Sequence, residues 1–327
     1  MKIIQKINKE HLPHIILITL ALVLCFIAAY KLINWNTRMT GELPGDDDAI
    51  WSPVQSEDYL AMVNPLYLEG REDDGVTTIV MIGDETLGTY DNGKTIAELL
   101  EEETGATIYT CYFPDTYVTT STDTMDTENL LDVFSLTWVC NAISANNFSI
   151  LENALALYPE TNPIYQESLD VVSSIDFETV DVITIMYGPR DYLESRLITD
   201  IMNEASFGSY SGSHLCAIAA IKDAYPHIQI VISSPMFCVF EDEDGSLLGS
   251  DLTNTGYGKL SDYMVAAKYI SVQTSVTYLD NFYGMPANAD NYEDYLIDGM
   301  YPNEESRTLI AERIANVLQS SDTGDVD

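Results

Sequence analysis

The fold is predicted most directly by residues 77–88, which read TTIVMIGDETLG. The first part, residues 77–82, is β-branched or apolar at every position, as expected of a parallel strand that is buried on both faces. Gly83 and Asp84 then break the strand pattern, and helical periodicity begins near Lys94. A buried strand that turns into a helix is the opening unit of an α/β sheet.

The alternation of strand and helix patterns continues towards the carboxyl terminus. Strand patterns also cover 107–110, 182–187, 228–233 and 276–279, and helical patterns cover 95–103, 213–224, 260–272 and 304–318. This order predicts a three-layer α/β/α domain with a doubly wound parallel sheet of the flavodoxin-like type. Residues 126–169 are mostly helical and too long for a simple crossover, so we expect a helical insertion or cap near the site.

A separate apolar run covers residues 12–30 and is about as long as a helix that crosses a hydrocarbon core of ~30 Å. Lysines precede the run and acidic residues dominate after Arg38, so the positive-inside rule puts the amino terminus in the cytoplasm. We therefore expect a cytoplasmic tail at 1–11, one transmembrane helix or signal anchor at 12–33, an acidic spacer at 34–58, and an extracellular domain at 59–327.

A cleaved signal peptide is the alternative to this single-pass anchor. Ala28 and Ala29 are small residues after the apolar run, and cleavage there would release a secreted form. The run is long for a signal peptide, and Tyr30 and Lys31 make a poor cleavage flank. These features favour a retained anchor in the cell membrane.

The charge of the chain and the spacing of its cysteines bear on whether it binds nucleic acid, metals or cofactors. The chain has 52 acidic and 14 basic residues, for a net charge of -38. Such a surface repels phosphate backbones, so we expect no nucleic-acid partner. The cysteines beyond the predicted span show no Cys-x-x-Cys spacing, and we expect no metal and no cofactor. They are either buried free thiols or, in an oxidising compartment, disulfide-bonded: Cys111, Cys140, Cys216 and Cys238.

Four short blocks stand after predicted strands or before a helix: GDE at 83–85, CYFPD at 111–115, GPRD at 188–191 and DGMYPN at 298–303. In this order they resemble the blocks of the SGNH (GDSL) hydrolases, including bacterial extracellular members, over roughly residues 77–318. The resemblance implies an esterase-type site at the loops. It places the nucleophilic serine of the family at Glu85, its oxyanion-binding glycine and asparagine at Pro114 and Arg190, and its histidine at Tyr301. The aspartate of the last block is kept as Asp298.

These replacements predict that the inherited chemistry does not run. A carboxylate at Glu85 is a poor acyl nucleophile and adds negative charge where an oxyanion must form. Pro114 has no N–H to donate, and Tyr301 has a phenol whose ordinary pKa of ~10 makes it no base at neutral pH. His214 and His227 lack the spacing of the family histidine, so we expect them to be structural or surface residues.

A different polar constellation remains at Glu85, Arg190, Asp298 and Tyr301. Either Glu85 pairs with Arg190 and plugs the former site while Asp298 caps the final turn, or the residues line a pocket for a small polar or glycan-like ligand. The predicted lining residues are Asp84, Glu85, Thr86, Tyr112, Asp115, Tyr187, Arg190, Asp191 and Tyr301. Tyrosines at the block loops either stack on a sugar or pack beneath the loops: Tyr112, Tyr117, Tyr187 and Tyr192.

Two functions from different classes follow. The favoured one is a membrane-anchored, extracytoplasmic SGNH-like pseudoenzyme that acts in binding, assembly or regulation at the cell envelope. The alternative is an esterase or deacetylase of acylated glycans or other esters that uses a non-standard site, with Thr86 as a conceivable nucleophile. A closed Glu85 to Arg190 contact favours the first function, and an open cleft with Glu85 and Asp298 unpaired favours the second.

Overall fold

The computed structural model describes residues 58–71, 75–123, 126–242 and 244–323. The predicted cytoplasmic tail, the predicted transmembrane helix and the spacer up to residue 57 lie outside these ranges. Within the described ranges, no helix is both long enough and apolar enough to cross a membrane.

The elements alternate along the chain as the sequence patterns predict. The strands are β1 (Thr78–Gly83), β2 (Thr107–Tyr112), β3 (Val182–Met186), β4 (Gln229–Ser233), β5 (Val239–Glu241), β6 (Leu247–Gly249), β7 (Thr277–Leu279), β8 (Leu296–Ile297) and β9 (Tyr301–Pro302). The α-helices are α1 (Ile96–Thr104), α2 (Leu130–Val133), α3 (Leu136–Ser144), α4 (Ser149–Leu157), α5 (Pro163–Ser174), α6 (Arg190–Leu193), α7 (Tyr210–Ala224), α8 (Leu260–Thr274), α9 (Asn281–Gly284), α10 (Tyr292–Tyr295) and α11 (Glu304–Thr323).

A parallel sheet with the strand order β2-β1-β3-β4-β7 forms the centre of the domain. Every residue of β1 and β3 is buried, which explains why their sequences are nearly continuous apolar runs. Helices flank the sheet in two groups, since α1 packs against α11 while α3 and α8 both pack against α7. The predicted three-layer α/β architecture with a parallel sheet is confirmed.

Local sequence signals account for where α1 begins and ends. The Thr95 hydroxyl accepts a hydrogen bond from the Glu98 N–H at 3.1 Å, and the Glu98 carboxylate accepts one from the Thr95 N–H at 2.8 Å. Gly105 then adopts the left-handed conformation with φ of 70°, which ends the helix. This helix fixes the return of the chain from β1 to β2.

The helices between β2 and β3 correspond to the predicted insertion. Its last helix, α5, packs along β2, and the Ser168 hydroxyl donates to the Tyr112 carbonyl at 2.8 Å. This part is therefore a layer helix that covers the sheet rather than a cap. The aromatic rings of Phe134 and Tyr165 pack on Phe113, with ring centroids 4.6 and 5.6 Å away, and so support the loop that follows β2.

The described chain starts along the free edge of β7. Tyr59 pairs with Tyr278 in an antiparallel bridge, with N···O distances of 2.9 and 2.8 Å. The Asp58 carboxylate accepts hydrogen bonds from the Asp280 N–H at 2.8 Å and from Arg313 Nη2 at 2.7 Å. These contacts cover a sheet edge that would otherwise be open.

Candidate active site

The candidate site lies at the carboxyl edge of the sheet, where the loops after β1, β2 and β3 meet. Glu85 begins a 3-10 turn directly after β1, and Arg190 begins α6 after β3. Because β1 and β3 are neighbours while the chain winds in opposite directions from them, this edge is the topological switch point at which α/β folds bind ligands. The loop after β2 brings Asp115, and β9 brings Tyr301, to the same place.

The Glu85 carboxylate is buried and has a partner on each oxygen. Its Oε1 lies 2.6 Å from Arg190 Nη2 and accepts a longer hydrogen bond of 3.3 Å from the Tyr301 hydroxyl. Its Oε2 accepts the Asp115 backbone N–H at 2.8 Å. We call these four residues, Glu85, Asp115, Arg190 and Tyr301, the ion-pair cluster.

Arg190 joins two carboxylates in this cluster. Its Nη2 lies 2.8 Å from Asp115 Oδ1 as well as 2.6 Å from Glu85 Oε1, and about a quarter of its side chain is exposed. Burial lowers the pKa of Arg190, but the hydrogen bond and charge of Glu85 and the charge of Asp115 outweigh it, so the pKa is raised. The guanidinium therefore stays charged and remains ion-paired with Glu85 and Asp115.

Tyr301 completes the cluster as a neutral phenol. Its ring stacks on Tyr90, with centroids 4.1 Å apart and planes inclined by 22°. Burial, and then the negative charge of Glu85, raise the pKa of Tyr301 above its ordinary value. A phenol with a raised pKa can donate a hydrogen bond, but it cannot take a proton at neutral pH.

Two buried carboxylates hold the loops beneath the cluster. Asp84 accepts hydrogen bonds from the Thr86 N–H at 3.0 Å and the Gly188 N–H at 2.8 Å, and so ties the β1 loop to the β3 loop. Burial, and then the charge of Glu85, raise the pKa of Asp84 to about 7. A Cβ atom at Gly188 would lie only 2.7 Å from Thr86 Oγ1, so this close approach requires glycine.

Asp191 ties the β3 loop to the loop after β2. Its carboxylate accepts the Val118 N–H at 2.8 Å, the Thr119 N–H at 3.1 Å and the Thr119 hydroxyl at 2.7 Å. Burial raises the pKa of Asp191 despite these hydrogen bonds. Asp84 and Asp191 together hold the loops after β1, β2 and β3 in place through buried hydrogen bonds to backbone N–H groups.

Comparison with known proteins bears on the fold. One solved structure aligns with 76% of this chain and 99% of its own length, at 18% identity and a TM-score of 0.52. A possible lipase from Chitinophaga pinensis aligns with 74% of this chain and 98% of its own at 16% identity and TM-score 0.47. A carbohydrate acetylesterase from Sinorhizobium meliloti aligns with 75% and 99% at 13% identity and TM-score 0.43.

No family model and no curated protein matches the sequence. The solved structures to which the chain is similar also include a lipase/acylhydrolase from Enterococcus faecalis and a putative GDSL-like lipase from Parabacteroides merdae, at TM-scores of 0.41 and 0.42. The chain has the fold of the SGNH (GDSL) hydrolases.

The loop after β2 supplies a backbone donor that the sequence did not predict. Pro114, where the resemblance places the oxyanion-binding glycine, has no N–H, but the next residue, Asp115, has a φ of 63° and points its N–H at Glu85. This left-handed conformation is the one that favours glycine. The Glu85 carboxylate accepts the Asp115 N–H at 2.8 Å.

Asp298 lies apart from the ion-pair cluster, so the predicted constellation of Glu85, Arg190, Asp298 and Tyr301 does not form. Asp298 is exposed in the turn between β8 and β9, and in the described part of the chain it makes no hydrogen bond or ion pair to Glu85, Arg190 or Tyr301. It does not cap the final helix either. Asn303 does so, because its side chain accepts the Ser306 N–H at 3.0 Å.

The tyrosines that the sequence placed at the block loops are mostly packing residues. Tyr117, Tyr187 and Tyr192 are buried, and Tyr192 donates its hydroxyl to the Thr253 carbonyl at 3.0 Å. Tyr112 is half-buried beside Gly88. These rings therefore fit the packing interpretation, and Tyr187 does not line an open pocket.

Both described histidines and three of the four described thiols are buried, and Cys216 is half-buried. His214 is buried in α7, its Nδ1 lies 2.9 Å from the Tyr210 carbonyl, and burial lowers its pKa to about 4. His227 precedes β4 and so lies at the opposite, amino edge of the sheet. The four cysteines of the described chain are free. Burial raises the thiol pKa of Cys111, Cys140 and Cys238 to about 12.

Sequence reasoning missed two residues that position the cluster. Tyr90 stacks on Tyr301, and no pattern in its loop distinguishes it. Arg307 is fully buried, and its guanidinium donates to the carbonyls of Lys94 and Pro302 at 2.7 and 2.8 Å and to Asp91 Oδ1 at 2.6 Å. The sequence held a signal for the burial of Arg307, because helical spacing puts it on the same face as the apolar Ile310, which is buried.

Among the described residues, the usual groups of acyl transfer are not available at the ion-pair cluster. Nucleophilic attack needs a hydroxyl or thiol beside a base, and the oxyanion needs free donors. Here Thr86 is buried with its N–H on Asp84, and the donor N–H of Asp115 is taken by Glu85. Cavities of about 380, 420, 470 and 560 Å³ open elsewhere on the described chain, and Glu85, Arg190 and Tyr301 line none of them. Among the described residues, no cluster of metal-ligating side chains occurs.

Proposed function

We propose that this chain is a catalytically inactive member of the SGNH fold, held outside the cell by an N-terminal membrane anchor, that acts through binding, assembly or regulation at the cell envelope. One observation carries the proposal. The Glu85 carboxylate accepts the Asp115 N–H at 2.8 Å and lies 2.6 Å from Arg190 Nη2. The resemblance places the oxyanion-binding groups of the SGNH hydrolases at Pro114, next to Asp115, and at Arg190.

The electrostatics of that position oppose the reaction of the fold. Acyl hydrolysis develops a negative charge on the carbonyl oxygen, and the active site normally meets it with unoccupied donors. Here a carboxylate already takes both donors, so the incoming oxyanion would face a like charge at close range. Displacing Glu85 would leave Arg190 half-buried beside a single carboxylate, Asp115.

The ligand class in the proposal is a small polar or glycan-like molecule. The support for it is the exposed rim of the cluster. Tyr90 is 47% exposed beside Tyr301, and the Asp115 side chain is largely exposed next to Arg190. An aromatic face beside paired charges suits a sugar ring, which offers one apolar face and a rim of hydroxyls.

Hydrolysis of p-nitrophenyl acetate by the purified protein tests the inactivity. We expect a rate equal to that of buffer for the natural protein and for Glu85→Ala, because neither has a nucleophile with a base. Turnover by the natural protein that Glu85→Ala abolishes would contradict the proposal, and it would support the alternative esterase through an unfamiliar site.

The membrane anchor is tested separately. Membranes from cells that make the full-length chain are washed with alkaline carbonate, which strips peripheral proteins but leaves a spanning helix in place. We expect the chain in the pellet and the domain accessible to protease added outside. Release into the wash would remove the anchor from the proposal without affecting the inactivity.

A further inference from the structure

An apolar surface lies at the opposite end of the sheet from the ion-pair cluster. It consists of six large side chains that are between 42% and 68% exposed: Leu60, Met62, Leu66, Tyr67, Leu68 and Val76. We call this surface the basal ridge, because the chain here crosses the amino ends of the strands. The Ala61 N–H donates to Thr277 Oγ1 at 3.1 Å, at the first residue of β7.

The ridge is not the outer side of an ordinary edge strand. The chain alternates there, with Tyr59 and Ala61 turned to the sheet and Leu60 and Met62 turned outwards. An outward face in water normally carries polar side chains at such positions. Beyond Asn64, the 3-10 turn Pro65–Tyr67 buries none of its residues and exposes further apolar side chains. The outward face therefore carries apolar side chains both before and after Asn64.

We propose that the basal ridge rests on the lipid surface of the membrane that anchors this chain, an inference that relies on the anchor in the proposed function. The described chain begins at Asp58, two residues before the ridge and at the end of the predicted spacer. A spacer over 34–58 spans no more than roughly 90 Å even when fully extended. A tether of that length keeps the ridge at a high effective concentration near the bilayer, so weak apolar contacts suffice.

The chemistry of the ridge fits the bilayer interface. Leucine and methionine side chains gain free energy on leaving water, and a tyrosine suits the headgroup level because its ring is apolar and its hydroxyl is polar. Arg71, the one base in the stretch from Leu60 to Val76, is paired with Asp181 at 2.6 Å, so this stretch offers no unpaired cation to an anionic lipid. A second copy is disfavoured as occupant, because each copy carries a net charge of -38.

Acidic residues near the ridge determine which lipid headgroups it prefers. Glu69, Glu72, Asp73 and Asp74 lie between the ridge residues Leu68 and Val76 in sequence, and their charge repels an anionic surface. Contact should therefore be strongest on zwitterionic phosphatidylcholine and weaker when part of the lipid is phosphatidylglycerol. This preference is the reverse of that of membrane proteins that bind through basic patches.

Quenching of tryptophan fluorescence by brominated phosphatidylcholine tests the proposal. The full-length protein is reconstituted into phosphatidylcholine vesicles as the natural chain, as Leu66→Trp and as Leu252→Trp. Leu66 and Leu252 are equally exposed, at 68% and 69%, but Leu252 lies on the loop after β6, on the side of the candidate site. The natural chain supplies the background of its own three tryptophans.

We expect brominated lipid to remove about half of the fluorescence added by Leu66→Trp, because an interfacial side chain lies within reach of the acyl chains, and none of that added by Leu252→Trp. Adding Met62→Asp and Leu68→Asp to Leu66→Trp should abolish the quenching. Equal quenching at the two positions, or none at Leu66→Trp, would overturn the ridge contact.

A carbonate wash of the same vesicles separates the two proposals. Protein that stays in the vesicles without quenching keeps the anchor and refutes the ridge contact. Protein that washes off the vesicles refutes the anchor, and the quenching result before the wash then decides the ridge contact alone. Stronger quenching on vesicles that contain phosphatidylglycerol would contradict the apolar basis of the contact.

Discussion

Three buried acidic residues at the carboxyl edge of the sheet differ in their partners. Asp84 and Asp191 accept backbone N–H groups from the loops. Glu85 also accepts a backbone N–H, from Asp115, but in addition it forms an ion pair with Arg190. Asp84 and Asp191 hold the loops in place, whereas Glu85 joins charged side chains of two loops. If the proposed loss of the reaction is right, it has left the hydrogen bonds that support the site in place.

Removing a supporting carboxylate should give the largest effect. Asp191→Ala leaves the Val118 and Thr119 N–H groups buried without acceptors. We expect the free energy of unfolding in urea to fall by about 4 kcal/mol. Asp200→Ala is the matched control, because Asp200 also accepts two backbone N–H groups but in an exposed turn. Equal losses for the two variants would contradict the supporting role.

The pH dependence of stability sharpens the role of Asp84. Its pKa of about 7 in the folded state exceeds the ordinary value of 3.8, so the folded state holds the proton more tightly. The contribution of Asp84 is then fully present at low pH and is lost as the pH rises through 7. Relative to Asp84→Asn, the natural protein should lose about 2–3 kcal/mol of unfolding free energy between pH 5 and pH 8. A pH-independent difference in urea unfolding would refute the raised pKa.

Breaking the ion pair from one side should cost less. Glu85→Gln leaves Arg190 with Asp115 alone, and we expect a loss of about 1–2 kcal/mol in unfolding free energy. The control is Glu102→Gln, which removes the exposed pair of Lys94 and Glu102 at 2.5 Å. Its loss should be too small to measure, because solvent screens that pair. A Glu85→Gln variant as stable as the control would mean that the buried pair is not formed.

The smallest effect is expected at the rim. Tyr90→Ala removes the ring that stacks on Tyr301, with ring centroids 4.1 Å apart. The free energy of unfolding, obtained from thermal melting, should fall by about 1 kcal/mol. Tyr90→Phe keeps the ring and removes only the hydrogen bond between the Tyr90 and Tyr301 hydroxyls, so its loss should be smaller. A loss of the same size in Tyr90→Phe would assign the effect to the hydroxyl rather than to stacking.

Long periodic elements were predictable from the sequence, and short or conformational features were not. The pattern at residues 77–82 predicted β1 to within one residue, and 304–318 predicted α11 from its first residue. The hairpin of β5 and β6 was missed because three-residue strands carry too little alternation. Nothing in the sequence shows that Asp115 takes a φ of 63° and so supplies the donor that Pro114 lacks.

The candidate site was predictable where residue types alone decide it. The replacement of serine by Glu85 and of asparagine by Arg190 implies opposite charges at adjacent loops, and the structure has their contact at 2.6 Å. Asp298 could not be placed in this way, because its exposure depends on the turn between β8 and β9. Spacing within a block fixes which residues are near in sequence, but the turn decides which of them face the site.

A double-mutant cycle on Glu85 and Arg190 tests most directly whether these two side chains form the buried ion pair. Unfolding free energies are measured for the natural protein, Glu85→Gln, Arg190→Gln and the double variant. The structure predicts a coupling energy of about 1–3 kcal/mol, because the two groups are in contact and largely shielded from solvent. Effects that simply add would mean that Glu85 does not pair with Arg190, and they would contradict the proposed inactive site.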